Sequence, residues 1–175
     1  MDNTQINQEN EIAINEEERL NLNQNQNLMH RSCDGHIVKL LRHLISGVNG
    51  ELTLLAQLTF QHFLTSDNDK KLDALINEII KNKYKVLNEF SLKVLEFGGI
   101  PKFVNGQGMY WGAKSVDYQL SPDRFVQNNI RLLERQIREY NKAINQINDE
   151  PLITLLNDQI ENNNRLIALI KSNLN

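Results

Sequence analysis

The chain has 175 residues, enough for one domain with a sizeable core, and its 19 basic against 22 acidic residues leave a formal net charge of -3. That balance excludes the clustered basic excess that nucleic-acid binding needs. Cys33 is the only cysteine, which rules out an internal disulfide and a cysteine-rich metal site and fits a reducing, cytoplasmic setting. The first residues lack the apolar stretch of a signal peptide, and no run approaches the ~20 apolar residues of a spanning helix. A soluble protein without a membrane partner is expected.

Residues 1 to 33 form a polar tail, dominated up to residue 28 by Asn, Gln and Glu. Such a segment buries too little to offset the entropy of ordering it, so it is read as disordered and solvated rather than as a docking arm. Residues 34 to 175 read as a bundle of four helices. The first starts after Cys33-Asp34-Gly35, with Asp34 as cap, and runs to about Thr65. Gly47 and Gly50 inside it cost a helix roughly 2 kcal/mol together, which points to close helix contact or a local break. The second runs from about Asp69 to Phe97 and stops at Gly98-Gly99, with Pro101 beyond. A long connection follows, in which Trp111 is expected to pin the loop to the bundle; its length alone does not fix the direction of the next helix. Ser121-Pro122-Asp123 opens the third helix and Asp149-Glu150-Pro151 the fourth, so these two form a tight antiparallel hairpin.

Each helix carries apolar residues at alternating spacings of three and four, a seam facing the core. The first seam is Ile37, Leu41, Leu44, Val48, Glu51, Leu55, Leu58, His62; the second is Leu72, Ile76, Ile79, Lys83, Val86, Phe90. The third is Val126, Ile130, Leu133, Ile137, Tyr140, Ile144, Ile147, and the fourth is Leu152, Leu156, Gln159, Asn163, Leu166, Ile170. Glu51, Lys83 and Asn163 therefore point inward. Four-helix bundles keep metal and cofactor sites on such positions. Here the inward set is one carboxylate, one ammonium and one amide, expected to form a core polar cluster in which Lys83 neutralises Glu51 and Asn163 completes the hydrogen bonds. A buried lysine can also act as a nucleophile, but pairing keeps it protonated and no second catalytic group is evident in the sequence.

Gly50-Glu51-Leu52, Gln61-His62, Gly98-Gly99-Ile100-Pro101-Lys102-Phe103, Tyr110-Trp111, Asn129-Ile130 and Tyr140, in that order and spacing, resemble the ferritin-like proteins of the bacterioferritin, rubrerythrin and manganese-catalase kind. The resemblance spans roughly residues 37 to 172. It implies an all-α, up-down bundle with a two-metal site, supplied by one Glu from each of two helices and a Glu-x-x-His from each of the others. Carried over position by position, those ligands fall on Glu51, Lys83, Val86, Leu133, Asn163 and Leu166. Only Glu51 is kept. Glu134 sits one residue from the Leu133 position and points about 100° away.

Two divalent cations need several anionic or imidazole ligands, so no metal and no catalytic residue is expected at these positions and no cofactor is required. The resulting expectation is a non-enzymatic structural or partner-binding protein, assembling with copies of itself or with a ferritin-like relative. The alternative is a metal-dependent oxidoreductase or iron-handling protein holding iron or manganese on Glu51, His62 and Glu134. His30, Cys33 and His36 match no common zinc pattern and are read as junction residues; His62 is read as a hydrogen-bonded seam residue. No phosphate-binding glycine loop and no serine nucleophile motif occurs.

Overall fold

The computed structural model describes residues 33–173. Apart from Cys33, the tail expected over residues 1 to 33 lies outside them, as does His30. Five α-helices are present among the described residues: α1 Gly35–Ser46, α2 Glu51–Thr65, α3 Lys70–Glu96, α4 Pro122–Ile144 and α5 Glu150–Ser172, with a single 3₁₀ turn at Ala113–Ser115.

The expected first helix is thus two. Gly47 ends α1, its N–H donating to the His43 carbonyl, and Gly47 and Gly50 both turn to extended backbone with ψ of 172° and 169°. The Thr53 hydroxyl donates to the Gly47 carbonyl at 3.1 Å and holds the break closed. A Cβ on Gly50 would lie 2.6 Å from the Ile45 carbonyl oxygen, so close approach is what demands glycine there. Two consequences follow for the seam. Val48, expected inward, lies in the break and is 65% exposed. Glu51 becomes the first residue of α2, where the positive end of the helix dipole favours a carboxylate.

The other ends follow their local chemistry. Asp34 accepts from the amides of His36 and Ile37, Asp69 from Leu72 and Asp149 from Leu152. Ser121 stands at the N-cap of α4 without a side-chain capping bond, and Pro122 supplies the first-turn geometry. Gly98, at φ 75°, closes α3 in the left-handed region.

α1 and α2 together run along α3, α4 pairs with α5, α2 packs on α4, and α3 on α5. Two apolar clusters fill the interior. One gathers α1, the second half of α3, the end of α4 and the start of α5, around Leu41, Phe90, Tyr140 and Leu152. The other gathers α2, the first half of α3, the start of α4 and the end of α5, around Leu54, Ile79, Leu133 and Leu166. α3 and α4 both pass from the second cluster to the first, so they are parallel, and each helical pair on its own is up-down. The long connection makes this possible by travelling back along the bundle. It is fastened by the Arg42 guanidinium donating to the Ile100 carbonyl, by the Trp111 indole donating to the Thr53 hydroxyl at 2.9 Å, and by the Asp117 amide donating to Gln57.

Gly50→Ala tests the break. Its Cβ meets backbone that cannot step aside, and a loss of roughly 1–3 kcal/mol is expected in chemical denaturation. An unchanged midpoint would contradict the packing argument.

Candidate functional site

Between the two apolar clusters every long helix contributes a polar side chain. Glu51 comes from α2, Lys83 from α3, Gln136 and Tyr140 from α4, and Asn163 from α5. Glu51, Lys83 and Asn163 are 0% exposed. The Lys83 ammonium lies 3.1 Å from Glu51 Oε2 and 3.4 Å from Oε1, and donates to Asn163 Oδ1 at 2.7 Å. The Tyr140 hydroxyl donates to Glu51 Oε1. Asn163 Nδ2 donates to Gln136 Oε1 at 3.3 Å, while Gln136 Nε2 has no partner among the described residues.

The electrostatics follow from closure. Burial pulls the Lys83 pKa below the ordinary lysine value, and the Glu51 charge and hydrogen bond pull the other way without cancelling it. Burial drives the Tyr140 phenol well above its usual value, and the neighbouring Glu51 carboxylate adds to the rise. Tyr140 therefore serves as a neutral donor. The fold thus places one positive and one negative charge side by side, with Glu51, Lys83 and Asn163 all out of reach of solvent.

The positions carried over from the resemblance divide cleanly. Glu51, Lys83 and Asn163 meet. Val86 joins one apolar cluster, and Leu133 and Leu166 join the other, all three buried. The relocated set of Glu51, His62 and Glu134 is not brought together: Glu134 is exposed, and His62 stands about 16 Å along the helix from Glu51. His62 Nδ1 instead lies 2.6 Å from the Asp73 carboxylate, which also accepts from Thr65 and Asn77. Partial burial works against the Asp73 charge, but the bonds from His62 and Thr65 and the positive charge nearby outweigh it and hold its pKa below the ordinary value. Cys33 and His36 are exposed, and His36 Nε2 meets the Gln146 carbonyl at 3.0 Å. Among the described residues no group of three or more His, Cys, Asp and Glu side chains is placed to hold a metal ion.

Sequence reasoning missed Tyr140 and Gln136 as members of the polar group. Tyr140 fits an apolar seam by its ring, and Gln136 lies one step off the seam. A second buried group was missed too, in which Gln57, Gln61 and Asn129 exchange amide hydrogen bonds between α2 and α4 at 2.7–3.3 Å. The usable signal was Gln57 and Gln61, four apart and flanking the Leu58 seam position.

The sequence matches no family model and no curated protein. Solved structures do match. KatB, a manganese catalase from Anabaena, superposes with a TM-score of 0.73 at 17% identity, over 82% of this chain and 73% of that one. A bacterioferritin from Rhodobacter capsulatus, whose structure is described as having a metal-free dinuclear site and haem iron, superposes with a TM-score of 0.61 at 11% identity, over 81% of this chain and 85% of that one. The fold is ferritin-like. At these identities the likeness extends to the ferritin-like bundle and its connections, and the side chains inside it have to be read from this chain alone.

Lys83→Met would leave the Glu51 carboxylate buried without a cation and is expected to cost on the order of 3–5 kcal/mol. Adding Glu51→Gln to it should cost less than the two single changes summed. Additive losses in a double-mutant cycle measured by urea denaturation would show that the two side chains do not interact.

Proposed function

We propose that this chain is a non-enzymatic ferritin-like protein in which a fixed ammonium stands where the resemblance implies metal ions, leaving the bundle a structural or partner-binding scaffold. The observation that carries this reading is the seat of Lys83 Nζ, 3.1 Å from Glu51 and 2.7 Å from Asn163. A lysine head there both occupies the space and supplies the positive charge that a ligand carboxylate needs.

The donor set supports the same reading. One carboxylate and one amide oxygen facing an ammonium, with Val86, Leu133 and Leu166 buried in the two apolar clusters, do not fit a pair of divalent cations. The relocated-ligand oxidoreductase has less support, because His62 is committed to Asp73 and Glu134 faces solvent.

A partner-binding role is consistent with large apolar side chains left on the outside, among them Phe63 and Tyr84, at 71% and 64% exposed. The partner in this reading is a second copy of the chain or a ferritin-like relative.

The test is metal analysis of the purified full chain after incubation with iron, manganese or zinc and removal of the excess. Less than about a tenth of an ion per chain is expected, with no ferrous-iron oxidation and no peroxide breakdown. Stoichiometric binding, with metal-dependent turnover abolished by Glu51→Ala, would replace this reading with the relocated-ligand enzyme.

A further inference from the structure

The polar group contains more than an ion pair needs. An ammonium facing a carboxylate is complete with one further acceptor, yet the acceptor here is a primary carboxamide whose carbon is electrophilic, held by helices otherwise joined only through packing and side-chain contacts. The amide is oriented as well. Lys83 Nζ has only hydrogens to offer, so the Asn163 atom 2.7 Å away must be the oxygen, and Nδ2 is turned to Gln136 Oε1. Amine, amide carbon and carboxylate are thus contiguous, all 0% exposed, with Phe90 and Leu133 equally buried in the flanking clusters.

We infer that Lys83 Nζ and Asn163 Cγ are the two ends of an intramolecular isopeptide bond, formed with loss of ammonia and with Glu51 as the proton carrier. The steps balance within the chain. The Glu51 carboxylate takes a proton from the Lys83 ammonium, leaving a neutral amine and a neutral carboxyl. The amine lone pair forms the bond to Asn163 Cγ while the carbonyl π pair moves to Oδ1, giving a tetrahedral intermediate beside the Glu51 carboxyl, to which the Tyr140 hydroxyl donates. Glu51 returns its proton to Nδ2, the Cγ–Nδ2 bond breaks with its electron pair going to nitrogen, and ammonia leaves as the carbonyl re-forms. The remaining extra proton on Nζ passes to Glu51. The products are a secondary amide, one ammonia and a neutral Glu51 carboxyl; no oxidant, reductant or cofactor is consumed.

The driving force is the same burial that makes the ion pair costly. Two ions held out of water each carry a large desolvation penalty. The reaction removes both charges and replaces them with groups that hydrogen-bond in place. Burial, which lowers the Lys83 pKa, also favours the neutral amine that attacks. The hydrogen bond from Nζ to Oδ1 keeps the amine beside the amide that it attacks. The bond would tie α3 to α5 across the middle of the bundle.

The inference rests on the metal-free reading of the core, so metal content is measured on the same preparation. The experiment is intact-mass spectrometry of the purified full chain in denaturant, followed by tryptic mapping. A stoichiometric loss equal to one ammonia is expected, with a branched peptide joining Lys83 to Asn163 and no cleavage at Lys83. Glu51→Gln keeps the amine and the amide but removes the proton carrier; it should run at its full calculated mass with the two peptides separate. A metal-free wild-type chain at full mass, with Lys83 open to acylation once denatured, overturns the bond alone. Full mass with metal bound at the site overturns both the bond and the metal-free reading. An ammonia loss that maps to Asn49-Gly50 or Asn105-Gly106 is a backbone succinimide and also overturns it. A fully linked Glu51→Gln chain overturns the role assigned to Glu51.

Discussion

A lysine head inside a closed core obliges everything around it. Nothing in an apolar interior screens the charge, so the groups that meet it must be in place whenever the chain is folded. Lys83 reaches its position from α3, Glu51 faces it from the first turn of α2, Asn163 from α5, and Tyr140 from α4 donates to one oxygen of the carboxylate. As the chain folds, before any bond joins Lys83 to Asn163, one ion pair thereby specifies the relative height of four helices, because sliding any of them by a turn separates a charge from its partner. This restriction matters more than net stabilisation, which desolvation erodes.

The break between α1 and α2 belongs to the same constraint. Were the helix continuous, Glu51 would sit mid-helix with no dipole in its favour. The extended backbone at Gly47 and Gly50 makes it a helix-initial residue instead. Thr53 then links the break to the long connection, since its hydroxyl donates to Gly47 and accepts from Trp111. The crossing loop, the helix break and the buried carboxylate are thus one connected piece of structure. The amide group of Gln57, Gln61 and Asn129 repeats the pattern further along α2, fixing α2 against α4 with neutral donors and acceptors.

Much of this was legible in the chain. Spacings of three and four placed Glu51, Lys83 and Asn163 inside, and Asp34, Asp149 and the Gly98-Gly99 pair marked ends that the helices respect. What escaped detection has physical reasons. The apolar pattern runs through Gly47 to Gly50 without losing phase, so periodicity alone cannot distinguish a continuous helix from two helices that share a face, and it turns Val48 inward. Tyrosine satisfies an apolar seam with its ring while its hydroxyl does polar work, which a hydrophobicity pattern cannot register. Gln57, Gln61, Gln136 and Asn129 look like surface residues until tertiary contact pairs them. The parallel run of α3 and α4 depends on where the long connection is fastened, and those fastenings are long-range contacts.

Superposition on a manganese catalase and a bacterioferritin fixes the scaffold and leaves the chemistry to the side chains. On the proposed reading those side chains make the core of this bundle one organised by its own lysine in place of a metal ion. The most direct measurement is the thermal unfolding of the full chain with and without a strong chelator. A core held by Lys83 gives coincident curves. A large fall in melting temperature on chelation, accompanied by release of one or more ions per chain, would contradict it.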